Sequence, residues 1–277
     1  MTEIRVASWN TETRLTKLPN TRRGTPASIA DKIVDLDADI VFLPEAFNAN
    51  ETTADTTRQF EQYGYTIISC PYDEKDRSRK ESLVAQPAMI LMTRFAIKQW
   101  HVLRPDDSRN MLIAELKTPD GASLHVVGVH LDDRDEERRM KQVPDIIREV
   151  TRRDTPGIIL GDFNAMHANT LPAQLLSHPP IKPIAESLGS IGKRAIKMAR
   201  GTTMQALMEK TGYRDADDKR QPTTTPCMYG REWLPSIRLM QIDHILVSPD
   251  VNVKAFNVQK DGGADHRAII ATLEINS

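Results

Sequence analysis

Gly157-Ile158-Ile159-Leu160-Gly161-Asp162-Phe163-Asn164 is the stretch on which the reading of this chain turns. Gly157 to Leu160 is a short apolar run flanked by glycine, the pattern of a buried strand. The chain leaves that strand and at once presents an acid and an amide. Gly, Asp and Asn are also ordinary turn residues. These positions alone therefore leave two readings open, a simple strand exit or a rigid platform for catalytic groups.

The same arrangement recurs on either side. Ile4 to Trp9 reads as a strand ending at Asn10. Thr25-Pro26 is an N-cap with proline in the first turn, opening a helix to Leu36 with Ile29, Ile33 and Val34 on one face. Ile40 to Leu43 is a buried strand that Pro44-Glu45 stops. Residues 51–63 predict a helix, 65–69 a strand and Tyr72 to Glu81 a charged loop. Residues 88–92, 97–103, 111–117 and 123–130 read as strands, the last closing on His130. Leu131 to Arg139 is densely charged and leads into a helix with Met140, Val143, Ile147 and Val150 on one face, which Pro144 is expected to kink or restart.

Downstream, residues 176–201 read as a helical, basic insertion. Thr202 and Gln205 fit a capping box for a helix that Gly212 closes. Gln221 to Pro235 is irregular. Strands follow at 242–247, carrying Asp243, at 251–258 and at 267–275. Gly262-Gly263-Ala264 is a flexible loop that delivers Asp265-His266. Strands both alternate with helices and meander, which predicts a single α/β (α+β) domain over residues 1–277 with mixed sheets.

The totals narrow the function. The chain has 277 residues with 37 basic and 38 acidic side chains, so no global basic field draws it to nucleic acid, and attraction to phosphate has to come from a local patch. Lys182, Lys193, Arg194, Lys197 and Arg200, with Glu186 the one acid among them, form such a patch. Aromatic content of 5% argues against a broad base-stacking surface. Cys70 and Cys227 lack metal-ligand spacing and point to reduced thiols in a cytoplasmic protein. The start, Met1-Thr2-Glu3-Ile4-Arg5, shows no signal-peptide core, and no apolar run approaches the ~18 residues of a membrane span. A monomer is expected.

The polar residues at strand ends form a chemically capable set: Asn10, Glu45, His130, Asp162, Asn164, Asp243, Asp265 and His266. Oxygen-rich ligands without cysteine suit Mg²⁺ or Mn²⁺. Such a cation with acids and histidines suits phosphoryl chemistry.

The order of the motifs is specific. Ser8-Trp9-Asn10, Asp39-Ile40-Val41-Phe42-Leu43-Pro44-Glu45, Val129-His130-Leu131, Gly161-Asp162-Phe163-Asn164, Gln241-Ile242-Asp243-His244-Ile245-Leu246 and Ala264-Asp265-His266 follow one another along the chain. In this the chain resembles the endonuclease/exonuclease/phosphatase superfamily, the deoxyribonuclease-I-like hydrolases, from about residue 4 to residue 275. The resemblance implies a four-layer sandwich, two mixed sheets face to face with helices outside and the site at one edge. It implies Glu45 as principal metal ligand with Asn10 beside it and Asp265 completing the metal or water network. It implies Asp162 on the attacking water and Asn164 as a donor to the phosphate. Asp243 and His266 match the family's Asp–His pair, and His130 matches a residue that contacts the phosphate or leaving group. Arg109 is a further candidate phosphate contact. Pro44 stands where many members carry glutamine, and Ala264 where serine usually precedes Asp-His.

Taken singly, several of these residues have plainer readings. Asn10 reads as a turn residue, Glu45 as a helix-start acid, and His130 as a strand-end histidine. His125 and His244 sit inside apolar strands with no motif role, and His167 reads as a loop histidine. Asp132, Asp133 and Asp135 read as a solvated face or a helix N-terminus. The leading functional expectation is a Mg²⁺- or Mn²⁺-dependent phosphodiesterase or nuclease using direct water attack, with nucleic acid held by Lys182 to Arg200. The alternatives are a phosphatase or phosphodiesterase for a small molecule or phospholipid, and a catalytically silent binding domain.

Overall fold

The computed structural model describes residues 1–11, 26–48, 54–71, 87–105, 109–224, 239–259 and 264–276. The cap at Thr25, the loop at Tyr72 to Glu81, the Gly262-Gly263 pair and most of the irregular stretch before Pro235 lie outside these residues.

Apolar alternation in β1 (Thr2–Ser8) sends Ile4 and Val6 to one face and Ala7 to the other. Helix α1 (Pro26–Asp35) covers the second face, and β2 (Ile40–Asn48) returns parallel to β1, with Ser8 beside Phe42. After α2 (Ala54–Gln62) and β3 (Thr66–Pro71), β4 (Pro87–Thr93) runs antiparallel to both β2 and β3. The chain then builds a second sheet from β5 (Ala96–Leu103), β6 (Met111–Lys117) and β7 (Ser123–His130), an antiparallel meander. Helix α3 (Glu136–Thr151) crosses over to β8 (Gly157–Asp162), parallel to β7. Four helices follow: α4 (Leu171–Ser177), α5 (Lys182–Ser187), α6 (Ser190–Met198) and α7 (Thr202–Thr211). Then come β9 (Arg214–Asp215) and β10 (Asp243–Val247), which lies antiparallel to β8. Finally β11 (Val251–Val258) and β12 (Ile269–Ile275) rejoin the first sheet beside β1. The strand orders are β11-β12-β1-β2-β4-β3 and β5-β6-β7-β8-β10-β9.

The core follows from the period-2 alternation of strands. Val6, Phe42 and Leu91 of the first sheet pack with Leu112, Val126, Leu160 and Ile245 of the second. The outer face of the first sheet meets Ile29 and Ile33 of α1 and Phe60 of α2. That of the second meets Val143 and Ile146 of α3 and Met204 and Leu207 of α7. This is the expected four-layer sandwich. Strand β8 is buried on both faces, with Ile158 and Leu160 between the sheets and Ile159 under the helices. Hence its unbroken apolar run.

Local expectations were met unevenly. Strand β2 does not stop at Pro44 but continues to Asn48, with its register against β4 shifting between Leu43 and Phe47. Proline lacks the N–H that the ladder needs, and the slip is the physical result. Pro144 lies within α3, which is a single element through Thr151. Asp135 caps that helix by accepting the Glu137 N–H at 2.9 Å. The Thr202/Gln205 capping box does not form: Gly201, at φ +71°, is the cap of α7. The buried Glu136 carboxylate takes over the capping work, accepting the Thr203 N–H at 2.9 Å and bonding the Thr202 hydroxyl. Glu136 is held in turn by Arg139 at 2.6 Å.

Gly161 is required by its setting. Its φ is +142°, and a Cβ there would lie 1.9 Å from the Val129 carbonyl oxygen of neighbouring β7. At the other end of β7, His125 is buried with neither ring nitrogen hydrogen-bonded. Burial, with the Arg153 charge adding to it, pushes its pKa down to about 4.

Two outcomes follow. Gly161→Ala should lower the urea midpoint by the equivalent of about 3 kcal/mol or more; an unchanged midpoint would show that β7 and β8 separate freely. His125 is held neutral when folded but protonates near pH 6.5 when unfolded. The stability it contributes is therefore present above about pH 6.5 and lost as pH falls towards 4, by no more than about 3 kcal/mol. Denaturation of His125→Leu across that window should show a shallower fall than wild type.

Candidate active site

Sheet register assembles the site. His130 at the end of β7 lies beside Asp162 at the end of β8, and Asp162 lies beside Asp243 at the start of β10. Paired residues share a face. Asp162 therefore points the same way as Leu160, to the seam between the sheets, with a histidine and an acid on its two sides. The first sheet brings its own groups to this seam. Asn10 follows β1, Glu45 sits in the irregular part of β2, and Asp265-His266 precede β12.

Oδ2 of Asp162 is the meeting point. Asn10 Nδ2 donates to it at 3.1 Å. Nε2 of His130 lies 3.5 Å away and Nε2 of His266 3.8 Å away, both too long for direct hydrogen bonds. The other oxygen, Oδ1, accepts the Asn164 N–H at 2.9 Å. Asn164 adopts φ +49°, a left-handed turn that asparagine tolerates. Burial raises the Asp162 pKa to about 6, with the Asp243 charge adding to it and His266, Asn164 and Asn10 opposing.

His266 is oriented from behind. Its Nδ1 lies 2.8 Å from Asp243 Oδ2, and the Thr224 hydroxyl stands 3.0 Å from the same nitrogen. Burial disfavours an imidazolium, but the charges of Asp243, Asp265 and Asp162 outweigh it, so the pKa stands well above 6.5. Asp243 is itself gripped by the hydroxyls of Thr223 at 2.6 Å and Thr224 at 3.0 Å. Despite burial, His266 and these threonines keep it below the usual carboxylate range. Trp9 fixes the His266 backbone by donating Nε1–H to its carbonyl at 3.1 Å.

His130 is the opposite case. Burial, with Arg109 and His266 adding to it, drives its pKa well below 6.5, so it is a neutral imidazole. Glu45 Oε1 is 3.7 Å from its Nε2. The Thr11 hydroxyl donates to the Glu45 carbonyl at 2.7 Å and fastens the ends of β1 and β2 together. Asp265 Oδ1 is 3.9 Å from His266 Nε2.

The structure thus brings Asn10, Glu45, His130, Asp162, Asn164, Asp243, Asp265 and His266 to one seam. Arg109 directs its terminal nitrogens elsewhere, to the Leu131 carbonyl at 2.6 Å and Asp133 at 2.5 Å. The Leu131 carbonyl also receives Asn164 Nδ2 at 3.0 Å, so Arg109 reaches the site through this shared acceptor. In the basic segment, Arg194 pairs with Asp133 and Lys197 with Asp135 at 2.9 Å, while Lys182, Lys193 and Arg200 are exposed. The sequence reading missed Thr223, Thr224 and Trp9 as supports. The Thr223-Thr224 pair lay in a stretch without periodicity, and only its hydroxyl content was visible.

The donor set fits a divalent cation. Glu45 and Asp265 are partly exposed carboxylates at the mouth. Asn10 donates from Nδ2 to Asp162, and its amide oxygen is the atom it would present to a hard ion.

An acid–histidine–amide cluster between two sheet edges, with oxygen donors at its mouth, suits phosphoester hydrolysis. The sequence pattern of the Endonuclease/Exonuclease/phosphatase family matches residues 7–266, and the chain belongs to that family. Its members are phosphoesterase hydrolases that as a family depend on a divalent metal, and this chain is a phosphoesterase of that family. A search of curated protein sequences finds no match. Solved structures share the fold. An endonuclease/exonuclease/phosphatase from Beutenbergia cavernae is 17% identical with a TM-score of 0.70, covering 99% of this chain and 72% of that one. A Neisseria 3′ phosphatase bound to product DNA hairpin is 16% identical, TM-score 0.66, covering 99% and 100%. A mannosyl-6-phosphatase from Bacteroides thetaiotaomicron is 15% identical, TM-score 0.63, covering 98% and 100%.

Thr223→Val removes the shortest hydrogen bond to Asp243. It should destabilise the fold by about 1–3 kcal/mol and slow hydrolysis about tenfold. Calorimetry and steady-state kinetics check the pair, and full activity would show that Asp243 does not need the Thr223 hydroxyl to hold it.

Proposed function

We propose that the chain is a Mg²⁺- or Mn²⁺-dependent phosphodiesterase that hydrolyses its substrate by direct attack of water on phosphorus. The observation that carries this reading is the convergence of Asn10, His130, Asn164 and His266 on the buried Asp162 carboxyl. Glu45, Asn10 and Asp265 would hold the cation, which when bound neutralises phosphate charge and polarises the phosphorus centre.

The rest of the chemistry belongs to side chains. Asp162, as a carboxylate, accepts a proton from the attacking water, and Asn10 and the Asn164 N–H keep its oxygens aimed. His266, cationic on Nε2, faces the same space and donates to a phosphate oxygen as charge develops there. Asp243 keeps that ring charged and correctly turned. Asn164 binds the Leu131 carbonyl with one amide hydrogen and offers its second to the phosphate. His130, neutral, contacts the phosphate or leaving group beside Glu45.

Nucleic acid is the first substrate class to test. Exposed Lys182, Lys193 and Arg200 supply cations on the insertion, and a structural relative holds a DNA hairpin product. A second reading, a small phosphate ester, is favoured by a separate observation. Arg194 and Lys197 are paired with Asp133 and Asp135, which leaves fewer cations for a long polyanion.

Turnover of bis-p-nitrophenyl phosphate should vanish with EDTA and return with Mg²⁺ or Mn²⁺, and Asp162→Asn should cost at least about 10³-fold in kcat while remaining folded. Metal-independent turnover, or an active Asp162→Asn, would overturn the reading. Neutralising Lys182, Lys193 and Arg200 together should weaken DNA binding and reduce its salt slope by up to about 3. An unchanged slope would leave the small phosphate ester as the substrate.

A further inference from the structure

A second buried cluster lies behind the site. His244, next to Asp243 on β10, is fully buried. Its Nδ1 is 2.7 Å from Asp215 Oδ2 on β9, and its Nε2 is 2.9 Å from the Ala165 carbonyl oxygen. His167 Nε2 is 2.8 Å from the same Asp215 oxygen, and Arg220 Nη1 is 3.0 Å from it. The other Asp215 oxygen accepts the Asp217 N–H at 2.9 Å.

Three donor groups, His167, Asp215 and His244, are close enough to suggest a metal site. The geometry argues otherwise. The Arg220 guanidinium already neutralises Asp215 on the oxygen an ion would take, and a divalent cation there would face it directly. A carbonyl and a carboxylate can only accept hydrogen bonds. With one at each nitrogen, His244 has to carry a proton on both, as an imidazolium. Burial opposes that charge, but Asp215 and the Ala165 carbonyl outweigh it and raise the pKa.

Ala165 is the residue after Asn164. The turn from Gly161 to Ala165 contains Gly161 at φ +142° and Asn164 at φ +49°, conformations that need external support. Phe163 is tied by its N–H to the Ile242 carbonyl at 2.8 Å, and its ring stands edge-on to His244 with centroids 5.3 Å apart. His167, at the far end of the same loop, is anchored to the carboxylate that holds His244.

We propose that His244 is a positioning residue: clamped by Asp215, it fixes the Ala165 carbonyl and thereby the aim of Asp162 and Asn164 at the phosphate. The proposal rests on the phosphodiesterase reading of the site. It places a charged hydrogen bond of the second sheet under the catalytic turn, where a loss of tenths of an ångström falls on rate rather than binding.

The test separates the two bonds of the ring. In His244→Gln the amide nitrogen reaches the position of Nε2 and keeps the donor to Ala165; in His244→Asn it reaches that of Nδ1 and keeps only the bond to Asp215. With bis-p-nitrophenyl phosphate and Mn²⁺, His244→Asn should lower kcat about 30- to 100-fold with KM within about threefold, and His244→Gln should retain kcat to within about fivefold. Equal kcat in the two variants, or a loss carried by KM, overturns the proposal. His167→Asn, whose amide nitrogen reaches only the position of Nδ1 and so removes the Nε2 donor to Asp215, gives a second readout if either variant does not fold. Its kcat should fall about threefold to tenfold with KM unchanged, and an unchanged kcat counts against the clamp. Nitrogen NMR of the wild-type histidine rings should show both His244 nitrogens protonated at neutral pH, and a ring with one bare nitrogen overturns it. Wild type failing to turn over the probe would sink the phosphodiesterase reading, while the ring spectrum would still decide the charge state of His244.

Discussion

The ion pair between Asp243 and His266 crosses from one sheet to the other. Asp243 begins β10 in the second sheet, and His266 leads into β12 in the first. Both are buried, and removing two charges from water is expensive unless every remaining valence is met. Here the valences are met locally. Thr223 and Thr224 donate to the carboxylate, Thr224 also stands against the imidazole, and Thr224 forms isolated bridges to both Met240 and His266. The seam is therefore stitched by backbone and side chain at one point. Asp162, one strand over from Asp243, stands 3.8 Å from the other nitrogen of the same imidazolium.

Around this point the chain treats its histidines in contrary ways. His130 and His125, at opposite ends of β7, are kept neutral by burial with an arginine nearby. His266 and His244 are kept charged by carboxylates that burial alone would protonate. The residue type is the same, and of these four the charged pair are the two with a carboxylate oxygen within 3 Å of a ring nitrogen. A site with one neutral and one cationic imidazole facing the same carboxyl can hold donor and acceptor roles apart without relying on solution pH.

Much of this was legible in the sequence because it is written in short-range patterns. Apolar runs ending in Asn10, His130 and Asp162 mark strand ends, which gather at one edge of a sheet, and the run before Glu45 ends where β2 slips in register. The capping box was misread because Thr202 and Gln205 carry the right side chains, whereas the deciding partner is Glu136, distant in sequence and brought in by packing of α3 on α7. Arg109, Arg194 and Lys197 were counted as cations for a phosphate on the same grounds. Asp133 and Asp135 are their actual neighbours, a fact that only the folded chain contains. His244 looked structural because an apolar strand surrounds it, and Asp215 carried no motif. Their meeting depends on β9, two residues long and below the reach of periodicity.

Asp133 is held by Arg109 from the strand side and by Arg194 from helix α6, while Arg139 spans from the Asp132 carbonyl to that of Lys197. Helix α6 and the loop that supports Asn164 consequently share their fastenings. In descent this makes them one inheritable unit: a replacement for α6 lacking Arg194 and Lys197 would leave Asp133 to Arg109 alone and take the lysine from Asp135. Change in this helix would then have to proceed together with change in residues 131–135, and a helix grafted alone would arrive with its acceptors missing.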